Sequence, residues 1–241
     1  KHASTYGVAQ YLPSYSGQLL DTELNALSII MTNPKRPLMA IIGGSKISTK
    51  FTVLDNLIEK VDIMVLGGAM VYTLLQAKGL STGKSLFEPD LIDQAKHFLN
   101  RVEALNKTLY LPEDHQVVSD FNNPESIRTI NSNEFENDDI GVDIGPKSIA
   151  AIANYINDAA AIFWNGPVGV FETPEYAHGT FNIAKCLSES GDTVTIVGGG
   201  DSISALNLSG YSDKIDHIST GGGASLEFLE GKKLPGIEVL S

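Results

Sequence analysis

Apolar residues along this chain come in two rhythms that alternate. Short β-branched and apolar runs at 37–42, 62–66, 108–111, 140–144, 160–164, 194–197 and 215–219 read as strands. Between them the apolar positions fall three and four apart, the spacing of helices with one buried stripe. The pattern predicts a first helix over 21–33, with Leu24, Leu27, Ile30 and Met31 on one stripe and a stop at Pro34. It predicts others over 48–59, up to Gly79, from Glu88-Pro89 through Val102, over 148–156, over 180–187, after Ser202 and over 224–229. A short strand at 116–118 precedes a polar, acidic stretch, 120–139, that holds a short edge strand near 127–130. Tyr6, Tyr11 and Tyr15 are spaced for one packed helical face, interrupted by Pro13.

Strands that alternate with helices, and are apolar on both faces, imply a parallel sheet covered on both sides. The expected fold is therefore α/β, a doubly wound parallel sheet of about six strands flanked by helices, Rossmann-like in its three layers. In such sheets ligands bind beyond the carboxyl ends of the strands. Glycine turns at 43, 67, 145, 166, 198 and 221 each follow an expected strand, so they are expected to gather at that edge.

Two familiar phosphate motifs fail on spacing. From Gly198 and from Gly221 the dinucleotide fingerprint meets Ile203 and Leu226 where it requires Gly or Ala. Gly83-Lys84-Ser85 ends like a P-loop, but position 78 is Lys, and the segment follows a helix instead of a strand. What remains is TVTIVGGGDSIS (193–204), an apolar run into three glycines, an acid and a hydroxyl. Glycines admit a phosphate close to backbone N–H groups, and a helix start adds roughly half a positive charge. Asp201 suits Mg²⁺ and Ser202 can donate to a phosphate oxygen, while an ordinary helix cap at Asp201 explains the pattern equally well. Lys46 and Lys50, four apart after a glycine turn, share one helical face and suit a transferring phosphoryl group. Glu172, closing WNGPVGVFE (164–172), suits ribose hydroxyls or, equally, open solvent.

Composition narrows the classes. The 241 residues are 42% hydrophobic, with no apolar run near the roughly 20 residues a membrane helix needs. A net charge of −12, from 29 acidic and 17 basic residues, speaks against a nucleic-acid surface. The single cysteine, Cys186, sits in a helical apolar pattern as a core thiol and fits a reducing, cytoplasmic setting. The five histidines show no metal-ligand spacing. The chain opens on Lys1 without Met and reads as a fragment or processed chain.

Taken together, GGSKISTK (43–50), LGGAM (66–70), GKSLFE (83–88), DIGP (143–146), WNGPVGVFE (164–172), GGGDS (198–202) and STGGGASLEFLEGKKLPG (219–236) resemble phosphoglycerate kinase. The resemblance runs from His2 to the last residues and covers the nucleotide-binding, C-terminal half of that two-domain family. It implies transfer of a phosphoryl group between 1,3-bisphosphoglycerate and ADP, giving 3-phosphoglycerate and ATP, with Mg²⁺, in a cytoplasmic monomer. The triose substrate would be held mainly by the family's N-terminal domain, outside this chain, so the chain alone is expected to bind nucleotide with little turnover. A stand-alone Mg-nucleotide-binding module is the alternative.

By the same resemblance Lys46, Lys50, Gly199 and Gly222 serve the transferring phosphoryl group, Lys50 also contacting the nucleotide phosphates. Gly200, Asp201 (through Mg²⁺), Ser202 and Asn165 hold phosphates, Glu172 the ribose, and Gly68, Ala69 and Gly141 wall the adenine slot. It divides the chain into a connecting segment (1–20), a nucleotide-binding α/β domain (21–220) and a C-terminal hinge or return segment (221–241).

Overall fold

The computed structural model describes residues 1–32 and 34–240. Five apolar strands and one short one form its main sheet. They are β1 (Leu38–Ile42), β2 (Ile63–Leu66), β3 (Thr108–Tyr110), β7 (Ala161–Asn165), β8 (Val194–Gly198) and β9 (His217–Ile218). All run parallel, in the order β3-β2-β1-β7-β8-β9. The register is continuous across the middle, with Ile41 facing Val65 on one side and Trp164 on the other. All five residues of β1 are fully buried, as a central parallel strand covered on both faces must be.

The two faces separate by strand alternation. Leu38, Ala40 and Ile42 of β1, with Met64, Leu66, Phe163 and Ile196, point into one core. That core is closed by α1 (Gln18–Met31), α2 (Phe51–Leu57), α3 (Met70–Ala77), α4 (Ile92–Ala104) and α8 (Gly223–Leu229). Met39, Ile41, Val65, Ile162, Trp164 and Val197 point the other way, against α5 (Pro146–Asp158), α6 (His178–Ser188) and α7 (Gly200–Ser209). The result is the expected doubly wound, three-layer sandwich, and the chain closes with a short helix, α9 (Pro235–Glu238).

A second sheet departs from the sequence expectation. β4 (Asp114–Val118), β5 (Arg128–Asn131) and β6 (Ile140–Ile144) form an antiparallel trio in the order β5-β4-β6, apart from the main sheet. β6 looks like a buried parallel strand because its residues 142–144 are buried, but they are buried against Val118, Tyr176, α5 and α6. Gly145 consequently does not join the other glycine turns. A side chain there would run into the Asp114 carboxyl, which accepts hydrogen bonds from the Lys147 and Ser148 N–H groups and so caps α5.

Smaller expectations also shift. The helix placed at 48–59 splits into a tight turn at Ile47–Thr49 and α2, which meet at Lys50, where φ is −117°. Tyr11 and Tyr15 do not pack; they are 88% and 75% exposed. Cys186 is only partly buried at the edge of the α5–α6 core, and burial pushes its thiol up. α1 begins at Gln18, so the boundary drawn at residue 20 falls inside a helix. The expected helix end at Asn33 and the last residue of the 221–241 segment, Ser241, lie outside the described residues.

Candidate functional site

Glycine turns after β1, β2, β7 and β8 meet at the carboxyl edge of the main sheet and leave two adjoining cavities. The first, about 250 Å³, is a slot walled by Gly44, Gly68, Ala69, Tyr72, Gly141 and Val142 on one side and the 167–170 loop on the other. The second, about 320 Å³, is lined by Lys46, Lys50, Asn165, Gly199, Gly200, Ser202 and Gly222. Gly44, Ser45, Pro167 and Asp201 line both, so slot and second cavity form one groove.

The slot exists because its turns have no side chains. Gly68 sits at φ +70°, and a Cβ there would lie 2.5 Å from the Gly44 carbonyl oxygen. A Cβ on Gly141 would strike the Tyr72 hydroxyl. The opposite wall is pinned from α6, where Thr180 Oγ1 accepts from the Val168 N–H at 3.2 Å. Beneath that wall Asp143 is buried, accepting from the Gly179 N–H at 2.6 Å and the Ile144 N–H at 2.9 Å. Burial lifts its carboxyl to about 7 against the lowering effect of those two bonds. Glu172 is exposed at the slot's mouth.

At the other end the side chains are committed to one another before any ligand arrives. Lys50 Nζ donates to Asn165 Oδ1 at 2.5 Å, and Asn165 Nδ2 donates to the Gly198 carbonyl at 2.7 Å. Burial lowers the Lys50 ammonium, while the charges of Asp201 and Glu230 act in the opposite direction. Ser202 departs from the reading that its hydroxyl meets a phosphate. It is fully buried, its Oγ donates to the Gly198 carbonyl at 2.9 Å, and it accepts from the Gly166 N–H at 2.5 Å. The hydroxyl therefore ties two turns together, and what residue 202 offers at the start of α7 is its backbone N–H.

Lys46 and Lys50 do not share a helical face, since the Ile47–Thr49 turn separates them, yet both line the same cavity. Asp201, in the first turn of α7, is exposed and lines both cavities. No group of three or more His, Cys, Asp or Glu among the described residues is arranged to hold a metal ion. Asp201 is a lone exposed carboxylate on this cavity, a donor that suits a hydrated cation such as Mg²⁺ taking its other ligands from elsewhere, as opposed to a closed protein cage.

Every residue singled out for the site lines one of these two cavities. Sequence reasoning missed the roles of Gly44, Ser45, Tyr72 and Val168 as slot walls; a glycine turn says where backbone comes close, not what faces it. It also missed Glu23 of α1. This buried carboxylate accepts from the Thr220 N–H at 2.7 Å, Thr220 Oγ1 at 2.9 Å and Ser219 Oγ at 2.8 Å, and so shapes the turn that leads to Gly222. Nothing in its local pattern separates it from a helix surface acid.

Comparisons with known proteins agree on one family. The family model described as "Phosphoglycerate kinase" matches residues 1–232. The phosphoglycerate kinase of Clostridium perfringens (strain 13 / Type A) is 48% identical over 241 residues, covering 100% of this chain and 60% of its own length. That of Leptospira biflexa serovar Patoc (strain Patoc 1 / Ames) is 47% identical over 239 residues, covering 99% of this chain and 60% of that protein. Among solved structures, phosphoglycerate kinase from Coxiella burnetii superposes with a TM-score of 0.96 at 40% identity, over 100% of this chain and 62% of that one. The enzyme from Pyrococcus horikoshii OT3 gives 0.85 at 28% identity, over 98% and 60%. The chain thus spans about 60% of the length of the curated relatives it matches.

Proposed function

Because the chain belongs to the phosphoglycerate kinase family, we propose that it is the nucleotide-binding part of a phosphoglycerate kinase. The reaction is the glycolytic, cytoplasmic transfer of a phosphoryl group between 1,3-bisphosphoglycerate and ADP. The observation that carries this reading is the continuity of a mostly apolar, glycine-walled slot (Glu172 at its mouth) with a cavity holding two lysines and a helix start. An adenosine diphosphate has that same order of chemistry: a flat base, a sugar, then negative charge. A stand-alone binding module would use the groove alike, but the family match favours the kinase.

In this reading the base lies between the 68–69 turn and the 167–170 loop, and Glu172 accepts ribose hydroxyls at the mouth. The backbone N–H groups of Gly200, Asp201 and Ser202 face the phosphates with the positive end of α7. A β-phosphate oxygen of ADP attacks the acyl phosphorus, and the carboxylate of 3-phosphoglycerate leaves, so no residue needs to accept a proton. Catalysis then consists of alignment and charge neutralisation. Lys46 and Lys50 supply positive charge at the transferring group, and the N–H groups of Gly199 and Gly222 complete its surroundings. Asp201 would hold Mg²⁺, which supplies charge neutralisation at the phosphate oxygens when bound. Grip on the triose substrate is assigned to the part of the family's length that this chain does not span. Residues 1–20 would connect to that part and residues 221–241 would form the hinge.

Calorimetric titration tests the reading. Mg·ADP should bind the chain, and Asp201→Ala should weaken Mg·ADP by about tenfold, the worth of one charge-assisted contact, while leaving metal-free ADP nearly unchanged. Equal losses with and without Mg²⁺ would remove the metal role, and no binding of either form would remove the nucleotide reading itself.

A further inference from the structure

Two lysines line the phosphate cavity, but the loop that carries them is exposed. Ser45, Lys46, Ser48 and Thr49 all face solvent, with Ile47 buried between them. Across 40 residues of sequence, one side chain reaches this loop. Glu88 Oε2 accepts from the Ser48 N–H at 2.9 Å, and Glu88 Oε1 accepts from Ser48 Oγ at 2.6 Å. The carboxylate thus grips the first turn between Lys46 and Lys50 with both oxygens, a fork that fixes orientation as well as distance. Although burial pushes the other way, hydrogen bonds from Ser48 Oγ, Ser48 N–H and Ile47 N–H and the charge of Lys46 hold the Glu88 carboxyl below its ordinary range.

Glu88 is itself tied to the slot. Its N–H donates to Thr73 Oγ1 at 3.0 Å, and Thr73 is buried on α3. α3 opens directly after the slot wall, where the Met70 N–H donates to the Gly44 carbonyl at 3.0 Å. A continuous path therefore leads from the wall of the base slot, along α3, through Glu88, to the turn that aims the lysines. Helix α4 does not require this arrangement, since Pro89 alone suits its opening turn.

We propose that Glu88 is a positioning residue for phosphate recognition: its carboxylate sets the Ile47–Thr49 turn so that Lys46 and Lys50 address the phosphates of a nucleotide seated in the slot. The proposal rests on the nucleotide reading above and assigns a role to a residue of the GKSLFE segment that the site itself leaves unused. Lys46 and Lys50 would touch the phosphates, and Glu88 would act through them.

The test uses Glu88→Ala, Glu88→Gln and Ser48→Ala in the chain, titrated separately with Mg·ADP and with adenosine. Glu88→Ala should weaken Mg·ADP by about tenfold, the size of a charge-assisted hydrogen bond, with adenosine affinity unchanged. Glu88→Gln, which keeps one acceptor oxygen, should recover part of the loss, and Ser48→Ala should lie between it and the parent. A purely structural role would weaken both ligands together, and that result overturns the proposal, as does an unchanged Mg·ADP affinity in Glu88→Ala. Hydrogen exchange without nucleotide separates this claim from the reading it rests on. The Ile47 and Ser48 amides should exchange faster in Glu88→Ala than in the parent. Unchanged exchange sinks the positioning role even if nucleotide binds, and faster exchange supports it even if the nucleotide reading fails.

Discussion

The two ends of the groove are built on opposite principles. In the slot proposed for the base, backbone lies on backbone: Gly68 touches the Gly44 turn, a Cβ on Gly67 would strike Val168, and one on Gly141 would strike Tyr72. At the end proposed for the phosphates the added atom meets nothing within 4 Å at Gly200, Gly222 or Gly223. A flat, uncharged ring gains mainly from close contact, so its site must be formed in advance. A polyphosphate gains from charge and N–H donors, and the site proposed for it is open above a fixed base: Lys50 donates to Asn165, and Asn165 and Ser202 both donate to the Gly198 carbonyl. Glycine thus means two things in one groove: no room where turns press on one another, as at Gly68 and also at Gly43, Gly166 and Gly199 beneath the second cavity, and open space at Gly200, Gly222 and Gly223.

Substituting at the crowded end should have the largest effect. Gly68→Ala combines a left-handed backbone with a contact of 2.5 Å to a main-chain oxygen that cannot turn aside. A loss of about 2 kcal/mol or more in stability is expected, with adenosine affinity falling alongside, by thermal melting and calorimetry. Unchanged melting would mean that the slot is less rigid than its packing indicates.

Charge removal at the open end comes next. Lys50→Met keeps most of the apolar stem and leaves Asn165 Oδ1 without its donor. ADP affinity should fall by about 1.5–3 kcal/mol, the range for hydrogen bonds to charged groups, while adenosine binds as before. A parallel loss of adenosine would show that the two ends are not independent.

The slot side also carries two buried titrating groups. Burial lowers His115 from 6.5 to about 4, against the opposing charge of Asp114. The unfolded chain therefore binds that proton more readily, and the stability present above pH 6.5 is lost as pH falls toward 4. Asp143 runs the other way: its folded value of about 7 lies above the ordinary 3.8, so its burial costs nothing below pH 3.8 and increasingly more as pH rises to 7. A tenfold difference in proton affinity between folded and unfolded chain is worth about 1.4 kcal/mol. The parent chain should therefore show a shallow pH profile in which the two slopes oppose. His115→Gln should expose the Asp143 slope, with denaturant-measured stability declining from pH 4 to 7. A profile unchanged by this substitution would remove the burial account of His115.

Gly200→Ala should be the mildest change. The position is helical, the space around it is empty, and stability should stay within about 0.5 kcal/mol of the parent by denaturant titration. A large loss would mean that the open end is as closely packed as the slot.

Alternating apolar runs, read without any structure, were enough for the layer order, the central strands and the edge of the sheet at which the two cavities open. They succeed there because residues 38–42, 161–165 and 195–198 are buried by neighbours on both faces, and burial of that kind leaves a continuous apolar signature. The GGGD turn and the two lysines, which the structure brings to one cavity, stood out because glycine and charge carry their chemistry locally. Tertiary structure alone decided the rest. β6 reads like its parallel counterparts but joins an antiparallel sheet, since periodicity records that a strand is buried and not what buries it. The Ser202 hydroxyl reads as a ligand donor, but its partners come from β8 and from the Gly166 turn 36 residues away. Glu23 and Glu88 read as ordinary helix-end acids and are aimed by contacts 196 and 40 residues distant in sequence. A side chain's type is local information, whereas the partner that directs it is chosen by packing between segments that no local pattern relates.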